Sequence, residues 1–465
     1  MSLWSLWLSL ATPLTESCRR QRTRLWFMTT LIAFSIRGET VGVTSFVRAL
    51  GLREYCYDRI LDFLNSSSLC IDSLTNYWVA LVFARFPLVR INNRPALVAD
   101  GLKRPKTGKK IPAVKKLHQE SGNNNKPEYI FGHSLQAVGI LVNGLKTVFS
   151  VPLAGRIHEG LRLCRKDRST LMDRMIGLLA RLALPEPCYL IADAYYSNAP
   201  IMRGLLKGGH HLISRVRSNA VAYRPVTNDG KRKGRGRRRK YGRKVKLKNL
   251  FLTKTHFVKL ECMFYGKRAT VAVRTVDLVL RRVGLMVRFV LVKHPVRGNV
   301  ILVTTDLTLT ALQIVEAYSL RFKIEVSFKQ SIHTIGAYVY HFWSKAMKPR
   351  KGKSGDQDIS AESVEYQAEM LLKVDTCHRY IQIGLIAQGL LQYLACTAAK
   401  QVWMAGTTYL RTKNTDSSPS EGVVRDCLRD SFPEFIVDSA GDRKLTDFIR
   451  SHLCPKRKRF FRIAA

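Results

Sequence analysis

The chain has 465 residues, 46% of them hydrophobic, so most of it is expected to fold, in about two to four structural units. Lys and Arg outnumber Asp and Glu by 77 to 34, which gives a formal net charge of +43. An excess of this size destabilises a compact chain through self-repulsion, and a nucleic acid would neutralise it by replacing condensed counterions. The composition therefore favours a nucleic-acid partner over an anionic membrane or a merely solvated basic surface.

Cysteines and apolar runs indicate the compartment. The ten cysteines are scattered, with no C-x-x-C pair and no Cys/His cluster at zinc spacing, which is typical of reduced thiols in a cytosolic protein. Residues 2–10 are apolar but follow no basic region, so a signal peptide is not expected. The apolar run 25–36 is shorter than the roughly 20 residues of a membrane span. We expect a buried helix there, no membrane partner and a cytoplasmic location.

Residues 1–92 are predicted to form a helical domain. Residues 44–50, Gly51 and residues 54–64 have the pattern of a helix, a tight turn and a second helix, with four apolar positions facing a common core: Phe46, Leu50, Ile60 and Leu64. A short glycine turn is a property of the helix-turn-helix. Two interpretations remain open here, a domain that binds DNA ends and an ordinary helical hairpin.

A mixed sheet is predicted from residue 93 onward. Apolar runs bounded by Gly and Asn alternate with helical stretches, predicting strands at 95–99, 130–142, 146–153, 188–193 and 210–216 and helices at 168–184 and 198–208. The order β-β-β-α-β-α-β describes an α/β fold with a five-stranded mixed sheet and flanking helices. Residues 93–218 and 308–400 are assigned to this domain, with a loop at 345–363 and a helical stretch at 364–400.

The sheet pattern is interrupted between residues 219 and 307. Residues 231–248 hold twelve Lys or Arg, and five β-rich segments follow, the first at 250–253. This predicts a mostly β insertion that opens with a basic tract. The tract would either follow the DNA backbone without sequence preference or form a disordered charged loop. Residues 401–465 are predicted to be a C-terminal helical and basic region.

Two aspartates follow predicted strands. Asp100 ends the run 95–100, and Asp193 ends the run 188–193. Groups that bind substrates gather at the carboxyl ends of strands in open α/β sheets, so the two carboxylates would converge if these strands are neighbours. Each aspartate also has an ordinary explanation. Asp100 with Gly101 would form a turn, and Asp193 would cap the following helix.

A third carboxylate, Glu325, shares one predicted helical face with Tyr318 and Arg321. A helix laid across the sheet would bring Glu325 to the two aspartates, whereas a surface helix would pair it with Arg321 or Lys329. Three carboxylates can hold two Mg²⁺ ions about 3.5–4 Å apart. Without a metal, at least one of them should take up a proton. The set predicts a catalytic metal site at Asp100, Asp193 and Glu325.

At these residues the chain resembles the DDE transposases of bacterial insertion sequences, most closely the IS4-like group, whose catalytic domain is RNase H-like. The resemblance covers roughly residues 40–345 and is carried by four stretches: residues 96–101, residues 190–197 with Tyr196 in a D-x-x-[FY] element, residues 235–242, and Tyr318, Arg321 and Glu325 in the signature Y-(2)-R-(3)-E-(6)-K. The final lysine of that signature is missing, because its position is occupied by Ile332. Lys329 is the candidate replacement.

The resemblance implies a bacterial, nucleoid-associated enzyme that cleaves DNA at transposon ends and transfers the 3′ hydroxyl into target DNA, acting as a homodimer on paired ends. It implies that Asp100, Asp193 and Glu325 hold two Mg²⁺ or Mn²⁺ ions, and that Tyr318 and Arg321 bind phosphates of the transposon ends. Further predicted DNA contacts come from basic side chains: Lys329, Arg215, Arg217, Arg235, Arg237, Arg238, Arg239 and Lys240.

Two alternatives to a transposase remain. The first is a metal-dependent DNA nuclease of the same fold that performs no strand transfer. The second is a DNA-binding derivative that has lost catalysis, and Ile332 at the expected lysine position is the feature that favours it.

Overall fold

The computed structural model describes residues 2–119, 127–164, 166–226, 240–253, 256–350, 355–405, 414–438 and 442–456. Helices precede, interrupt and follow one large sheet. The helices are α1 (Leu3–Ala11), α2 (Gln21–Ile36), α3 (Thr44–Leu50), α4 (Cys56–Asn65), α5 (Ile71–Arg85), α6 (Leu171–Arg181), α7 (Ala199–Lys207), α8 (Ala311–Ser319), α9 (Lys323–Gln330), α10 (Val364–Thr397), α11 (Ala399–Ala405), α12 (Glu421–Asp430), α13 (Phe432–Asp438) and α14 (Arg443–His452).

The strands form a mixed sheet and one small separate pair. They are β1 (Arg90–Ile91), β2 (Arg94–Pro105), β3 (Lys115–His118), β4 (Tyr129–Gly144), β5 (Thr147–Ile157), β6 (Leu161–Arg162), β7 (Tyr189–Ala192), β8 (His211–Arg215), β9 (Val221–Tyr223), β10 (Lys244–Lys246), β11 (Val258–Phe264), β12 (Lys267–Leu280), β13 (Leu285–His294), β14 (Gly298–Thr304) and β15 (Gln357–Asp358). The main path runs β10-β9-β12-β13-β14-β8-β7-β2-β4-β3, and β6 pairs with β15 apart from it.

The five predicted strands correspond to β2, β4, β5, β7 and β8, and they are neighbours in the order β5-β4-β2-β7-β8. The first three pair antiparallel, whereas β2, β7 and β8 run parallel. Helices α6 and α7 provide the crossovers between β5, β7 and β8, which parallel pairing requires. The predicted mixed α/β architecture is confirmed.

The predicted five-stranded sheet is too small, because the insertion continues it. Strand β14 pairs antiparallel with β8, so the six insertion strands, β9 to β14, continue the sheet. With β1 and β3 it has thirteen strands in the described part of the chain. The open edge of β8 explains this outcome, since its unpaired backbone groups need hydrogen-bond partners. The predicted strand at 250–253 is also wrong, because a 3₁₀ helix occupies Leu247–Phe251.

A large apolar core joins the sheet to the helices of both chain ends. Helix α10 packs against β5 and α2, and its residues are almost all buried from Thr376 to Ala395. The Trp78 indole of α5 donates to the Pro152 carbonyl of β5 at 2.9 Å. Trp4 stacks on Phe435 with ring centroids 4.4 Å apart, which ties α1 to α13. The amino-terminal helices, the sheet and the carboxyl-terminal helices therefore share one core.

The predicted helix, turn and helix near the amino terminus are present as α3 and α4. Gly51 ends α3 with φ of +66°, a left-handed conformation that glycine adopts without the steric cost of a side chain. The four apolar side chains predicted to share a core are all 1% exposed or less: Phe46, Leu50, Ile60 and Leu64. The hairpin is thereby confirmed, and its role in reading DNA stays a prediction.

The apolar run 25–36 lies in α2, which is buried as predicted. Among the described residues, no single helix is long and apolar enough to cross a membrane; α10 and α11 meet the length and composition limits only as a pair bent by 96°. Six of the ten cysteines are buried, three are half-buried, and Cys164 is exposed.

Candidate active site

The pairing of β2 with β7 brings Asp100 and Asp193 to the same level of the sheet. The two strands are parallel, and Ala99 is the register partner of Ala192. Asp100 and Asp193 are the next residue of each strand, on backbones about 4.8 Å apart. The prediction that Asp100 ends its strand is wrong, because β2 continues to Pro105 along β4. The parallel pairing of β2 with β7 stops before Asp100, so the two strands separate at that point.

Asp193 caps a short turn as well as facing Asp100. Its Oδ1 accepts a hydrogen bond from the Tyr195 amide at 3.0 Å, at the start of the 3₁₀ helix Ala194–Tyr196. Its backbone carbonyl accepts from the Ser214 hydroxyl of β8 at 2.8 Å. These contacts use one carboxylate oxygen and fix the backbone. The ordinary capping role and a role beside Asp100 are therefore compatible.

Arg321 joins the third acid to the first. Its Nη1 donates to Asp100 Oδ2 at 3.1 Å, and its Nη2 donates to Glu325. The segment is not one continuous helix as predicted, because a 3₁₀ turn at Leu320–Phe322 separates α8 from α9. The i, i+4 spacing of Arg321 and Glu325 still lets the side chains meet. Both Glu325 interpretations hold in part, since Glu325 pairs with Arg321 and lies near Asp100.

Burial first, and then the charges of Asp193 and Glu325, raise the pKa of Asp100 to about 6, against the opposing effects of the Gly101 amide and Arg321. The other two acids of the site therefore both act on the Asp100 carboxyl. Tyr196 is 2% exposed, and burial together with the charges of Asp100 and Asp193 raises the pKa of its hydroxyl far above the usual value. Tyr196 is a packing residue beneath the acids.

Tyr318 and Arg215 flank the carboxylates. Burial raises the pKa of the Tyr318 hydroxyl to about 12, and Arg321 and Arg215 are among the charges that act on it. Arg215 is exposed and follows Ser214, the register partner of Ala192, so it lies level with Asp193 on the next strand. The neighbouring strands β2, β7 and β8 thus present Asp100, Asp193 and Arg215 side by side, where the pairing of β2 with β7 stops.

The donor atoms at this edge fit a divalent cation in their chemistry, since Mg²⁺ and Mn²⁺ prefer carboxylate oxygen. The raised pKa of Asp100 is the behaviour expected of clustered acids without a counter-cation. No three His, Cys, Asp or Glu side chains in the described ranges are arranged to hold a metal ion. In this arrangement Arg321 instead neutralises two of the three predicted ligands.

The remaining predicted DNA contacts are only partly described. Three of these cations are exposed. Arg217 lies just after β8, Lys240 lies in the insertion, and Lys329 lies on α9. The tract residues Arg235, Arg237, Arg238 and Arg239 lie outside the described residues. Ile332 lies in a π-helical turn after α9 and packs against the main core. Its apolar contact explains why isoleucine suits that position.

A hairpin of the insertion contacts the helices that carry the site, which the sequence patterns did not reveal. Tyr265, in the turn between β11 and β12, packs on Phe322 with ring centroids 5.7 Å apart. The Met263 amide donates to Glu316 Oε1 of α8 at 3.1 Å. Arg297 lies 4.0 Å over the Tyr265 ring. The dipeptide Tyr265–Gly266, with Tyr265 at φ of +51°, was the turn signal that could have located this contact.

One family model matches part of the chain. Residues 160–332 match the family described as "Transposase DDE domain". The matched range is less than half of the chain; it includes Asp193, Tyr318, Arg321 and Glu325, and it begins after Asp100. A solved structure of the piggyBac transposase synaptic complex with hairpin DNA is similar at 13% identity and a TM-score of 0.36, covering 93% of this chain and 76% of that chain. No curated protein matches. The chain thus contains a region similar to a transposase DDE domain.

Proposed function

We propose that the protein is a DNA transposase of the DDE type, which cleaves DNA at transposon ends and transfers the resulting 3′ hydroxyl into target DNA. The register of β2 and β7 carries this proposal, because it sets Asp100 beside Asp193 although Asp100 lies outside the matched family range. Asp100 lies beside Asp193 through this strand pairing, and Asp193 and Glu325 fall within the matched range, which supports the assignment of the three carboxylates such an enzyme needs. The strand order of β5, β4, β2, β7 and β8 supports an RNase H-like catalytic domain.

In this proposal Asp100, Asp193 and Glu325 hold one or two divalent cations, Mg²⁺ or Mn²⁺. Such ions lower the pKa of an attacking water or hydroxyl and stabilise the leaving oxygen. Asp100 then loses its proton, because a nearby positive charge opposes the burial that raises its pKa. Glu325 is 56% exposed at its side chain and lies on a helix, so it can turn toward the aspartates when Arg321 releases it.

The neighbouring cations bind and orient the DNA. Arg321 has a planar fork that suits phosphate oxygens as well as carboxylates. Asp100, Asp193 and Glu325 would hold the cation, and the Arg321 guanidinium, now paired with Asp100 and Glu325, would then be available to a phosphate beside the reacting bond. Arg215, level with Asp193, provides a second positive charge at the same edge, and the Tyr318 hydroxyl stays protonated and can donate a hydrogen bond.

The net charge of +43 fits a DNA partner, and the exposed cations Arg217, Lys240 and Lys329 extend the basic surface around the site. Pairing of two transposon ends would require two copies of the chain, which motivates the proposed homodimer. An IS4-like origin in a bacterial, nucleoid-associated insertion sequence belongs to the same proposal and rests on the signature residues Tyr318, Arg321 and Glu325.

One observation favours a second candidate, a DNA-binding derivative without catalysis. Ile332 replaces the expected lysine and packs on the core, so no cation can project from that position. A single experiment separates the candidates: purified protein is incubated with Mg²⁺ or Mn²⁺ and DNA carrying the inverted repeats that flank its gene. Cleaved ends that become joined to a second DNA support the transposase. Cleavage without joining indicates a nuclease, and a mobility shift without cleavage indicates the binding derivative.

A further inference from the structure

Two arginines at the far end of β2 are partly buried with unpartnered nitrogens. Within the described residues, Arg104 Nε and Arg350 Nε and Nη1 are buried and have no hydrogen-bond partner. The Arg350 guanidinium lies 4.0 Å over the Phe131 ring of β4. Arginine nitrogens cannot be deprotonated to relieve burial, so each group keeps a charge that needs a counter-anion.

The charges around these arginines are positive. Burial lowers the pKa of both guanidinium groups, and no carboxylate opposes that effect. Lys109, Lys110 and Lys345 adjoin Arg350, and none of them forms an ion pair with a described carboxylate. The nearby acids Asp356 and Glu362 are engaged by other lysines, Lys115 and Lys348. The anion missing from this cluster is therefore not supplied by the described protein.

Backbone contacts hold the two halves of the cluster together. The Ser344 amide donates to the Lys110 carbonyl at 3.0 Å, and the Arg350 amide donates to the Lys109 carbonyl at 2.8 Å. The Lys110 ammonium donates to the Lys345 carbonyl at 3.0 Å. The positive charges are thus fixed in place against mutual repulsion, which is an arrangement that a bound anion would stabilise.

The cluster lies on the same face of the sheet as the acids. Alternate residues of a strand share a face, so Asp100, Leu102 and Arg104 point to the same side of β2. Asp100 pairs with Ala137 and Arg104 with His133 on β4, and Phe131, under Arg350, continues that face. Four residues of strand separate Asp100 from Arg104 by about 13 Å. The strand between them is covered by protein, because Leu102 packs on the main core and its β4 partner Leu135 is 2% exposed. The cluster is therefore a surface separate from the carboxylates.

We propose that Arg104 and Arg350, with Lys109, Lys110 and Lys345, form a phosphate-binding surface that holds the backbone of duplex DNA. This inference rests on the proposed function, since it takes the DNA to be that which the carboxylates act on. The surface contacts the backbone and carries no base readout, so it positions the duplex without adding sequence preference. Partial burial of the guanidinium groups makes their contact with phosphate stronger than that of a fully solvated lysine.

The test is the salt dependence of DNA binding by the full chain without divalent cation, so that cleavage plays no part. Binding of a duplex of about 40 base pairs is measured by fluorescence anisotropy between about 50 and 200 mM NaCl. The double variant Arg104→Gln/Arg350→Gln should reduce the slope of log K against log[NaCl] by about 1.8, which corresponds to two phosphates. Affinity should fall by the same factor for unrelated sequences. A charge-matched control is Lys207→Gln/Lys444→Gln, which removes two exposed cations from α7 and α14.

A second readout separates ligand binding from a structural role. Inorganic phosphate should raise the melting temperature of the wild type more than that of the double variant, whose phosphate-free melting temperature should not fall. An unchanged slope in a folded double variant would overturn the proposal, as would an equal slope change in the control. Loss of heparin or RNA binding with duplex binding intact would overturn the assignment to duplex DNA. If the slope falls in the double variant but the wild type never cleaves DNA, the phosphate-binding surface is supported and the proposed function fails. If the wild type cleaves and joins DNA but the slope is unchanged in the double variant, the proposed function is supported and the phosphate-binding surface is overturned.

Discussion

The Arg321 guanidinium binds the Asp100 carboxylate across 221 positions of the chain, with 3.1 Å between Nη1 and Oδ2. The other branch of the same fork binds Glu325, so one cation links a sheet acid to a helix acid. Arg321 and a divalent cation would neutralise the same carboxylates. The two cations are therefore expected to compete, and release of Arg321 by the metal would free it for a phosphate.

Replacing Arg321 by Gln should strengthen metal binding while it weakens DNA cleavage. The variant removes a competing positive charge, so the dissociation constant for Mn²⁺ in the absence of DNA should fall roughly three- to tenfold, about 0.7–1.4 kcal/mol. Titration calorimetry or the Mn²⁺ electron paramagnetic resonance signal measures it. Arg288→Gln is the control, because Arg288 pairs with Asp277 of the insertion at 2.8 Å and should leave metal binding unchanged. Weaker metal binding by the Arg321 variant would contradict the competition.

Replacing Asp100 by Asn should stabilise the metal-free protein above pH 6. Burial and Asp193 raise the pKa of Asp100 from 3.8 to about 6, so the folded protein binds this proton more tightly than the unfolded chain does. The contribution of Asp100 to the free energy of unfolding of the wild type is fully present below about pH 4. This contribution is lost as the pH rises through about 6. Asn cannot ionise, so the variant should gain about 1–3 kcal/mol at pH 7.5 and little at pH 4.

Chemical denaturation with a chelator present, at both pH values, measures this difference. Asp356→Asn is the control of opposite sign. Burial raises the pKa of Asp356, but the hydrogen bond and charge of Lys115 lower it by more. That variant should lose stability at pH 7.5. Equal stability of Asp100→Asn and the wild type at pH 7.5 would contradict the electrostatic account of the site.

The strands of the site could be located from sequence, but their pairing and their side-chain partners could not. Apolar runs located β2 and β7, and the alternation with α6 and α7 indicated a mixed sheet, whereas the parallel pairing of β2 with β7 was left as a condition. The extent of β2 was missed, because its polar half, residues 101–105, is held by β4 rather than by apolar burial. Likewise, the pairing of Arg321 with Asp100 joins segments 221 residues apart, and no local pattern encodes such a contact.

The insertion illustrates a second limit. Its β content was predicted, because alternating apolar residues mark β12 and β13. The pairing of the insertion with the central sheet could not be predicted, because β8 has the same sequence pattern whether or not its edge is paired with β14. The contact of Tyr265 with Phe322 depends on that continuation and was missed for the same reason.

Replacing Tyr265 by Ala should slow cleavage without preventing folding. The ring supports the turn at Leu320–Phe322, which precedes Glu325 and contains Arg321. A small displacement of this turn should reduce the cleavage rate roughly ten- to a hundredfold. Single-turnover kinetics on end DNA measure it. Tyr223→Ala is a matched control, because Tyr223 packs on Tyr241 within the insertion, with ring centroids 5.5 Å apart. An equal loss in both variants would indicate a general defect of the insertion.

Replacing Lys329 by Gln should weaken DNA binding uniformly across sequences. Lys329 is exposed on α9 one turn beyond Glu325, so it is placed to contact one phosphate. The slope of log K against log[salt] should fall by about 0.9. Ile332→Lys should not compensate, because that side chain packs on the core; it should cost about 1–3 kcal/mol of stability instead. Restored DNA binding in the double variant Lys329→Gln/Ile332→Lys would show that a side chain at position 332 reaches the DNA.

The central claim, that the carboxylates of Asp100, Asp193 and Glu325 catalyse DNA cleavage, is tested most directly with Asp193→Asn. The variant keeps an oxygen that can cap the turn at Ala194–Tyr196, so it should fold and bind end DNA within a factor of about two of the wild type. Cleavage with Mg²⁺ or Mn²⁺ should fall roughly 10³-fold or more. Wild-type cleavage rates in a folded Asp193→Asn protein would contradict the assignment of the site.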